Sequence, residues 1–494
     1  MNKLRKDIHS ELLLLGGDIR NIHISDLINL NDSKDNVIES DLLVFDYSKQ
    51  RINQKILDYL LQIPDLINLK DSMDSLFNGK FKNPSEGRAV SHTIYRNKTP
   101  IEGLELVFNE RDKIKSFLNQ KYSDQSYKNL ICISIGGSRL GPELLNEFQS
   151  VSGPINIYFC SSYDLLELRD VLLKCRQSET IVFASSKSFE TSEILKNLDY
   201  IKSWFSEQTD VNLNDHLYGI SANAKAMTSC GIPKDNQFHL TDSLGGRFSI
   251  WSSISLPAFV NTNNDSYLEL LEGAYLADDY TKRTPWESNI SVIMALLSIW
   301  NANSLNINNH GIFTYNFKLR SLTKYIAQLS MESNGKSVNF HSDTSPFSTA
   351  PLIWGGYGIE NQHSTFQWLM QGKTETACDF IGINNEDSDT VDSNEMLLSQ
   401  VLAMSIGKEY KTEPFKSVRG NNPSSILQLA KPDLKSLGFL LALYEHKIFT
   451  EALILGIDPF DQWGVQLGKE LALDVKENHE FLKSYFSSSV LPKS

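Results

Sequence analysis

Four short apolar segments, each followed by a Gly- or Ser-containing turn and a helix-like stretch, most constrain the fold of this chain. They are residues 129–135 (NLICISI), 155–160 (INIYFC), 180–184 (TIVFA) and 217–221 (LYGIS). Continuous apolar runs that alternate with helices indicate a parallel sheet covered on both faces. We therefore predict a doubly wound α/β domain over residues 106–275.

A second α/β domain is predicted over residues 285–475. Its evidence is a strand-like segment near residues 311–317 and helical patterns at residues 293–300, 395–406 and 434–455. Fewer strands are visible by pattern here than in the first domain. The predicted fold class is thus α/β, with two doubly wound domains whose parallel-rich sheets are flanked by helices.

The two ends of the chain are predicted to be helical extensions of these domains. We expect residues 1–105 to form helices that are joined by polar turns and pack on the second domain. Residues 476–494 are expected to form a peripheral polar tail. Residues 384–394, rich in Asn, Asp and Ser, are predicted to form a solvated loop.

The charge balance argues against one class of function. The chain has 494 residues, with 47 Lys and Arg against 60 Asp and Glu, so its formal net charge is −13. A nucleic-acid-binding protein needs a basic stripe, which this diffuse acidity does not indicate. If the ligand is an anion, its site must be a local positive exception.

The cysteines and the apolar runs indicate a protein of a reducing compartment. The five cysteines are widely spaced and form no CxxC, so neither a disulfide framework nor a zinc site is indicated. Leu12 to Leu15 form an apolar run too short for a signal-peptide core, and no segment approaches 18 consecutive apolar residues. We therefore expect a cytoplasmic protein that does not act at a membrane.

The first predicted strand ends in a glycine turn that is suited to an anion. Gly136 and Gly137 allow a sharp turn that points backbone amides and a helix N-terminus at a ligand, and Ser138 adds a hydroxyl. The segment has neither GxGxxG nor P-loop spacing, so it predicts neither kind of nucleotide site. A plain turn between strand and helix explains the glycines about equally well.

The third predicted strand ends in a segment dense in hydroxyls, residues 185–193 (SSKSFETSE). Hydroxyls and helix-terminal amides at the carboxyl end of a strand are what a phosphate monoester needs. The alternative is a helix N-cap with a capping box. That alternative accounts for one hydroxyl and leaves the others unexplained.

Two charged residues stand at positions suited to chemistry, Arg247 to oxyanion binding and Glu332 to proton transfer. Arg247 directly follows Gly246, where a permanent positive charge flanked by amides is suited to an oxyanion. Apolar residues repeat at helical spacing over residues 318–336, which places Glu332 in the last turn and Gln328 one turn earlier. Alone, each charge is more simply explained as a solvated surface group.

Two candidates are weaker when taken singly. His363 follows a glycine-bearing turn within residues 354–372, and a lone histidine is more often structural than catalytic. Residues 460–469 (FDQWGVQLGK) have the pattern of an Asp-capped helix that carries Lys469. By itself, Lys469 is most simply a surface lysine.

Together and in this order, these segments resemble the phosphoglucose isomerase family. The closest matches are GGRFSIWSSISL, QLSMESNGKSV and FDQWGVQLGK, with IGGSRLGP, SKSFETSE and WGGYGIENQH as recognisable variants. Residues 77–96 also resemble the family's N-terminal stretch, so the likeness covers about residues 77–469. It implies two sugar-isomerase (SIS-type) domains, a homodimer, a sugar phosphate substrate, and no metal or organic cofactor.

The resemblance also implies a reaction, the reversible isomerisation of D-glucose 6-phosphate and D-fructose 6-phosphate through a cis-enediol in glycolysis and gluconeogenesis. In the family's pattern, Glu332 is the base, Arg247 with the Gly246 amide stabilises the enediolate, and His363 and Lys469 assist ring opening. His363 would come from the partner subunit, and Glu193 would orient it. The implied substrate and phosphate contacts are Ser186, Lys187, Ser188, Thr191, Gly137, Ser138, Gln328 and Gln462.

Two residues near the predicted phosphate loop depart from the family's pattern. Arg139 stands where an acidic or small polar residue is common, and Glu190 stands where Thr is usual. A carboxylate that pointed into this loop would repel a phosphate. We hypothesise that Glu190 points away or pairs with Arg139.

Three other functions remain open from the sequence. A sugar-phosphate sensor without turnover would be expected to lack the base, and Glu332 is present. A related isomerase could act on another sugar phosphate, for example as a mannose phosphate isomerase or an amidotransferase module, although the latter normally carries a glutaminase domain with an N-terminal Cys. A secreted cytokine-like role is not supported by the N-terminal residues.

Overall fold

The computed structural model describes residues 2–30, 36–123, 126–149, 153–262, 264–341, 343–384, 388–468, 470–471 and 485–487. The fold is α/β, as predicted, with two sheets and helices packed around them. Strands β1 to β11 span Val37–Glu39, Leu43–Lys49, Asn129–Ser134, Asn156–Cys160, Thr180–Ser185, Leu217–Ser221, Gln237–His239, Asn309–Thr314, Leu352–Tyr357, Ala377–Ile383 and Ser424–Leu429.

Helices α1 to α17 span, in chain order, Asn2–Ile19, Ile24–Leu30, Gln54–Leu60, Ile63–Leu66, Leu69–Phe77, Glu105–Ser123, Gly137–Gln149, Leu166–Leu172, Ser192–Ser206, Ala224–Ser229, Asn264–Arg283, Ile290–Asn303, Leu322–Asn334, Gly358–Gln362, Phe366–Gln371, Ser388–Ser405 and Leu434–Leu455. Short 3-10 helices connect them, among them Gly246–Trp251 and Ser253–Phe259. Within the described residues, no helix combines the length and the apolar character that a bilayer crossing requires.

The first sheet has the strand order β4-β3-β5-β6-β7, and every pairing in it is parallel. The four strands predicted from the apolar runs are confirmed, and β3 and β5 are buried along their whole length. Strand β7 was not predicted, because three residues are too short for a periodic signal. All five strands lie within residues 106–275.

The second sheet has the order β1-β2-β11-β10-β8-β9. Strands β11, β10, β8 and β9 pair in parallel, and the predicted strand near residue 311 corresponds to β8. Strand β9 escaped prediction because its Gly355 and Gly356 suggested a turn. Gly355 is needed in the strand, since its φ is +123° and a Cβ there would collide with the carbonyl of Ile312.

The prediction of an entirely helical segment over residues 1–105 is wrong. Strand β2 pairs antiparallel with β11, with Phe45 opposite Leu427, and β1 pairs antiparallel with β2. Leu43 and Phe45 are buried with a half-buried residue between them, a period of two that could have revealed the strand. This segment therefore supplies the edge of the second sheet, outside the predicted range 285–475.

The predicted loop over residues 384–394 is wrong in its second part. Helix α16 already begins at Ser388, and residues 385–387 lie outside the described residues. The tail predicted over residues 476–494 also lies outside them, except for residues 485–487. The prediction for residues 434–455 is confirmed at both ends of α17, which begins after an Asp433 side-chain cap and ends at Gly456 in the left-handed conformation.

Candidate active site

A cavity of about 1040 Å³ lies at the carboxyl ends of the strands in the first sheet and reaches α13, a helix beside the second sheet. This edge is where open α/β sheets bind ligands. Most of the predicted site residues line it: Gly137, Ser138, Ser186, Lys187, Ser188, Thr191, Glu193, Gly246, Arg247, Gln328, Glu332 and Gln462. The fold thus brings together segments that are up to 325 residues apart, from Gly137 to Gln462.

The glycine turn after β3 packs directly on the turn that carries Arg247. Helix α7 begins at Gly137, and a Cβ there would collide with the carbonyl oxygen of Gly246. The two turns can approach this closely only because residue 137 has no side chain. Gly137 is therefore required for the shape of the cavity wall.

The loop after β5 presents its hydroxyls to the cavity. Phe189 has a φ of +56°, and its buried side chain fixes the loop to the core. The hydroxyls of Ser186 and Thr191 lie 3.0 Å apart and both residues line the cavity. Thr191 is the N-cap residue of α9, but its side chain makes no capping hydrogen bond. The capping-box alternative therefore does not explain Thr191.

Arg247 is buried and held by a set of fixed acceptors. Its Nε donates to the Ser333 hydroxyl at 2.7 Å, and its Nη1 donates to Oε1 of Gln462 at 3.0 Å. Its Nη2 donates to the backbone carbonyls of Pro459 and Asp461. These bonds fix the planar guanidinium, so its charge faces the cavity in one orientation.

Glu332 lies in the last turn of α13, as predicted. Its Oε1 is 3.6 Å from Nη1 of Arg247, and its Oε2 accepts a hydrogen bond from Nε2 of Gln328 at 2.9 Å. Its side chain is 25% exposed, which leaves the carboxylate accessible from the cavity. A carboxylate that is oriented on both oxygens and open to a ligand is suited to proton transfer.

The cavity is locally positive in an acidic chain. Four cationic residues line it, Arg88, Lys187, Lys225 and Arg247, against three acidic residues, Glu193, Asp242 and Glu332. Burial, and then the charge of Arg88, lower the pKa of Lys187, which indicates that these two cations interact. The site is therefore the positive exception that an anionic ligand requires.

Sequence reasoning assigned no role to Arg88, Lys225 or Lys336. Arg88 lies in the stretch that resembles the family, which was a usable signal, whereas Lys225 has no sequence signal. Lys336 follows the predicted base helix and lines a second cavity of about 750 Å³, which shares Glu332, Gln462 and Val465 with the first. Among the described residues, no group of His, Cys, Asp or Glu is arranged to hold a metal ion.

The hypothesis that Glu190 pairs with Arg139 is wrong, whereas the alternative that Glu190 points away agrees with the structure. The Arg139 guanidinium pairs with Glu143 at 3.3 Å and Glu167 at 3.1 Å, and its Nη1 donates to the Ser161 hydroxyl. Glu190 is exposed and does not line the cavity. Its carboxylate therefore need not repel an anion bound there.

Two predicted residues are not brought to the cavity within the described part of one chain. His363 is exposed at the C-terminus of α14 and does not line the cavity. Glu193, expected to orient it, accepts a hydrogen bond from the Ser192 hydroxyl at 3.0 Å. Lys469 lies outside the described residues.

Comparison with known proteins agrees with this geometry. The family model described as "Phosphoglucose isomerase" matches residues 46–490. A glucose-6-phosphate isomerase of Pseudoalteromonas translucida is 35% identical over 496 residues, covering 92% of this chain and 90% of that protein. A glucose-6-phosphate isomerase of Buchnera aphidicola subsp. Cinara cedri is 35% identical over 499 residues, covering 93% of this chain and 91% of that protein.

A solved structure has the same fold along nearly the whole chain. The crystal structure of a glucose-6-phosphate isomerase from Chlamydia trachomatis superposes with a TM-score of 0.88 and 27% identity, covering 97% of this chain and 96% of that one. Because the family match extends over most of the sequence and includes the segments that build the cavity, this chain belongs to the phosphoglucose isomerase family.

Proposed function

We propose that this chain catalyses the reaction for which its relatives are named, the reversible isomerisation of D-glucose 6-phosphate and D-fructose 6-phosphate. It is an aldose–ketose isomerase, and it serves glycolysis and gluconeogenesis. The observation that carries this proposal is the pairing of the Glu332 carboxylate with the Arg247 guanidinium in a cavity that also contains a hydroxyl-rich, cationic loop. A sugar phosphate needs the cationic loop to bind its phosphate, and it needs the carboxylate and guanidinium beside its reacting carbons.

The phosphate binds at the loop after β5. Ser186, Ser188 and Thr191 offer hydroxyl donors, and Lys187 offers a positive charge in the same wall. Ser138 and the turn at Gly137 close the site from the neighbouring strand β3. This loop holds the charged end of the substrate, so the sugar carbons extend toward Glu332.

Glu332 moves the proton between C2 and C1 of the open-chain sugar. It removes the proton from C2 of the aldose, which leaves an enediolate with its negative charge on O1. It then returns that proton to C1 while the O2 hydroxyl proton passes to O1, and the product is the ketose. Arg247, with the Gly246 amide, stabilises the negative oxygen of the intermediate. Gln328 orients the carboxylate through its hydrogen bond at 2.9 Å, and Gln462 is fixed beside it by Arg247.

Ring opening requires acid–base groups in addition to those that the described residues of one chain bring to the cavity. His363 and Lys469 supply acid–base chemistry at the ring oxygen, and His363 reaches the site from a second copy of the chain, where Glu193 orients it. The active form is therefore a homodimer in which each active site contains residues of both subunits. The protein acts in the cytoplasm. This arrangement is supported by the exposure of His363, because an exposed side chain is available to contact a second copy of the chain.

The test is conversion of fructose 6-phosphate by the purified protein in excess EDTA, with product detected by glucose-6-phosphate dehydrogenase. Turnover should persist under chelation, because the proposed proton transfer and enediolate stabilisation use only side chains and a backbone amide of the protein. The variant Glu332→Gln should retain sugar-phosphate binding and lose turnover by about 10³-fold or more, as for loss of a general base. Wild-type protein that binds the sugar phosphate without turnover would instead be a sensor.

A further inference from the structure

Lys336 is a largely buried ammonium group that joins two segments of the site. Its side chain is 18% exposed, and its Nζ donates to the backbone carbonyls of Glu332 at 3.2 Å and Ser333 at the end of α13. The carbonyl oxygens of Asp458 at 2.7 Å and Asp461 at 3.0 Å also lie within hydrogen-bond distance of Nζ, so its three N–H groups are shared among these acceptors. It also forms an ion pair with Oδ1 of Asp461 at 3.1 Å. One side chain thus connects the end of the base helix to the turn over residues 458–462.

Arg247 binds the same turn from the first domain. Its Nη2 donates at 3.0 Å to the carbonyl oxygen of Asp461, the atom that also accepts from Lys336. Its Nε donates to Ser333, whose carbonyl accepts from Lys336. The two cations therefore share one backbone scaffold, and the position of each depends on the other.

The last carbonyls of a helix have no partner within the helix, and a cation there is favoured by the helix dipole. Lys336 satisfies two such carbonyls at the turn that carries Glu332. Asp461 compensates its charge, which burial would otherwise make costly. The contacts thus stiffen the helix end on which the proposed base is mounted.

We propose that Lys336 is a positioning residue, which sets the Glu332 carboxylate against the Arg247 guanidinium by tying the end of α13 to the turn over residues 458–462. This inference rests on the roles assigned to Glu332 and Arg247 above. Lys336 does not line the cavity that contains the phosphate loop. Its loss should therefore slow the chemical step and leave phosphate binding nearly unchanged.

The experiment replaces Lys336 with Cys and then restores the ammonium by alkylation with 2-bromoethylamine, which yields a side chain of the same length as lysine. We expect Lys336→Cys to lower kcat by about 10²-fold, the scale of a misplacement near 1 Å, and to change KM by less than about threefold. Alkylation should recover at least about tenfold of the lost kcat, with wild-type protein alkylated in parallel to correct for its own cysteines.

A matched control distinguishes the proposed effect on Glu332 from the effect of losing any buried lysine hydrogen bond. Lys113 on α6 is half-buried, donates to the carbonyl of Gln237 at 2.6 Å, and lines neither cavity. Lys113→Met should leave kcat and KM unchanged. If Lys336→Cys yields too little folded protein, Lys336→Gln, which keeps two amide donors, is measured instead and is expected to lower kcat with the same small change in KM.

Three results would overturn the proposal. These are an unchanged kcat in the folded Lys336 variant, a rise in KM that accounts for the whole loss, and no recovery on alkylation. Glu332→Gln is measured beside it: if that variant keeps wild-type turnover, the proposed role of Glu332 fails, and the inference fails with it. If Glu332→Gln is inactive and the Lys336 variant is fully active, only the inference fails.

Discussion

The Nη1 atom of Arg247 lies 3.6 Å from Oε1 of Glu332, although the two residues lie beside different sheets of the fold. Arg247 lies in the 3-10 helix Gly246–Trp251, which follows the first sheet. Glu332 lies in the last turn of α13, beside the second sheet. The pair therefore exists only while the elements beside the two sheets stay packed together. A substitution that changes either the charges of this pair or the packing around it should therefore change turnover.

Arg247→Lys should lower kcat by about 10²- to 10³-fold, the cost of losing an oxyanion-stabilising donor. A lysine ammonium cannot reach the acceptors on Gln462, Pro459 and Ser333 together, so the positive charge would lose its fixed orientation. The measurement is steady-state turnover of fructose 6-phosphate. Arg320→Lys is the control, because Arg320 pairs with Glu147 away from this cavity; a kcat within threefold of wild type in Arg247→Lys would contradict the assigned role.

Gly137→Ala should lower both stability and activity. The added Cβ would collide with the Gly246 carbonyl, and the overpacking should cost about 1 to 3 kcal/mol and displace the Arg247 turn. Thermal unfolding and kcat are measured together. Gly17→Ala is the matched control: Gly17 lies in α1 with open space around its Cβ position, and alanine there should stabilise by about 0.5 to 1 kcal/mol. Equal effects of the two substitutions would refute the close-approach argument.

Arg88→Gln should raise KM about tenfold and leave kcat nearly unchanged, since a hydrogen bond to a charged group is lost at the phosphate end. The Nε and Nη2 atoms of Arg88 contact Glu86, and no partner is found for its Nη1 within the described residues. Competitive inhibition by inorganic phosphate should weaken in parallel. Arg139→Gln provides the comparison, because the Arg139 guanidinium is held by Glu143 and Glu167 and lies outside the cavity; the same rise in KM in both variants would speak against a phosphate contact.

Mixing two inactive variants tests whether His363 acts across subunits. If His363→Ala and Glu332→Gln are unfolded and refolded together in equal amounts, hybrid dimers should contain one complete site. Random pairing then returns about a quarter of the wild-type activity, because half the dimers are hybrids and each has one working site of two. Each variant refolded alone is the control. No recovered activity in a mixture shown to contain hybrids would place His363 in its own chain's site or outside catalysis.

Asp278→Asn should destabilise the fold by about 3 to 5 kcal/mol at neutral pH, because the buried Arg96 would lose its bidentate partner. Burial alone would raise the pKa of Asp278, but Arg96 and His446 hold it below its ordinary value of 3.8. This stabilisation is complete above the unfolded pKa and is lost as pH falls through the native one. Denaturant unfolding at pH 7 and at pH 3 measures it; the difference between wild type and variant should shrink at low pH. Asp199→Asn, at an exposed ion pair, should change little.

Local sequence signals were sufficient where an element is buried on all sides or capped by its own residues. The runs that became β3 and β5 are apolar because helices cover both faces of the sheet, so their composition alone marked them. The predicted bounds of α17 agree with the structure, in which Asp433 and Gly456 cap the helix through local contacts. The site segments were found because glycines, hydroxyls and charges cluster in short motifs.

Long-range pairing determined what the sequence patterns missed. Strand β2 exists because β11, more than 370 residues away, supplies its hydrogen-bonding edge, and no local preference of residues 43–49 predicts that partner. Arg88 became a candidate site residue because the fold places it in the wall of the same cavity as the loop after β5. Lys336 became one through its hydrogen bonds to the turn over residues 458–462. Arg139 pairs with Glu143 and Glu167 and not with Glu190. The sequence by itself determined the fold class, the family and most of the residues around the cavity, since these depend on local composition and order. Only the tertiary structure decided which charges meet, because Coulomb and hydrogen-bond interactions depend on distances that the packing of the elements around the two sheets sets.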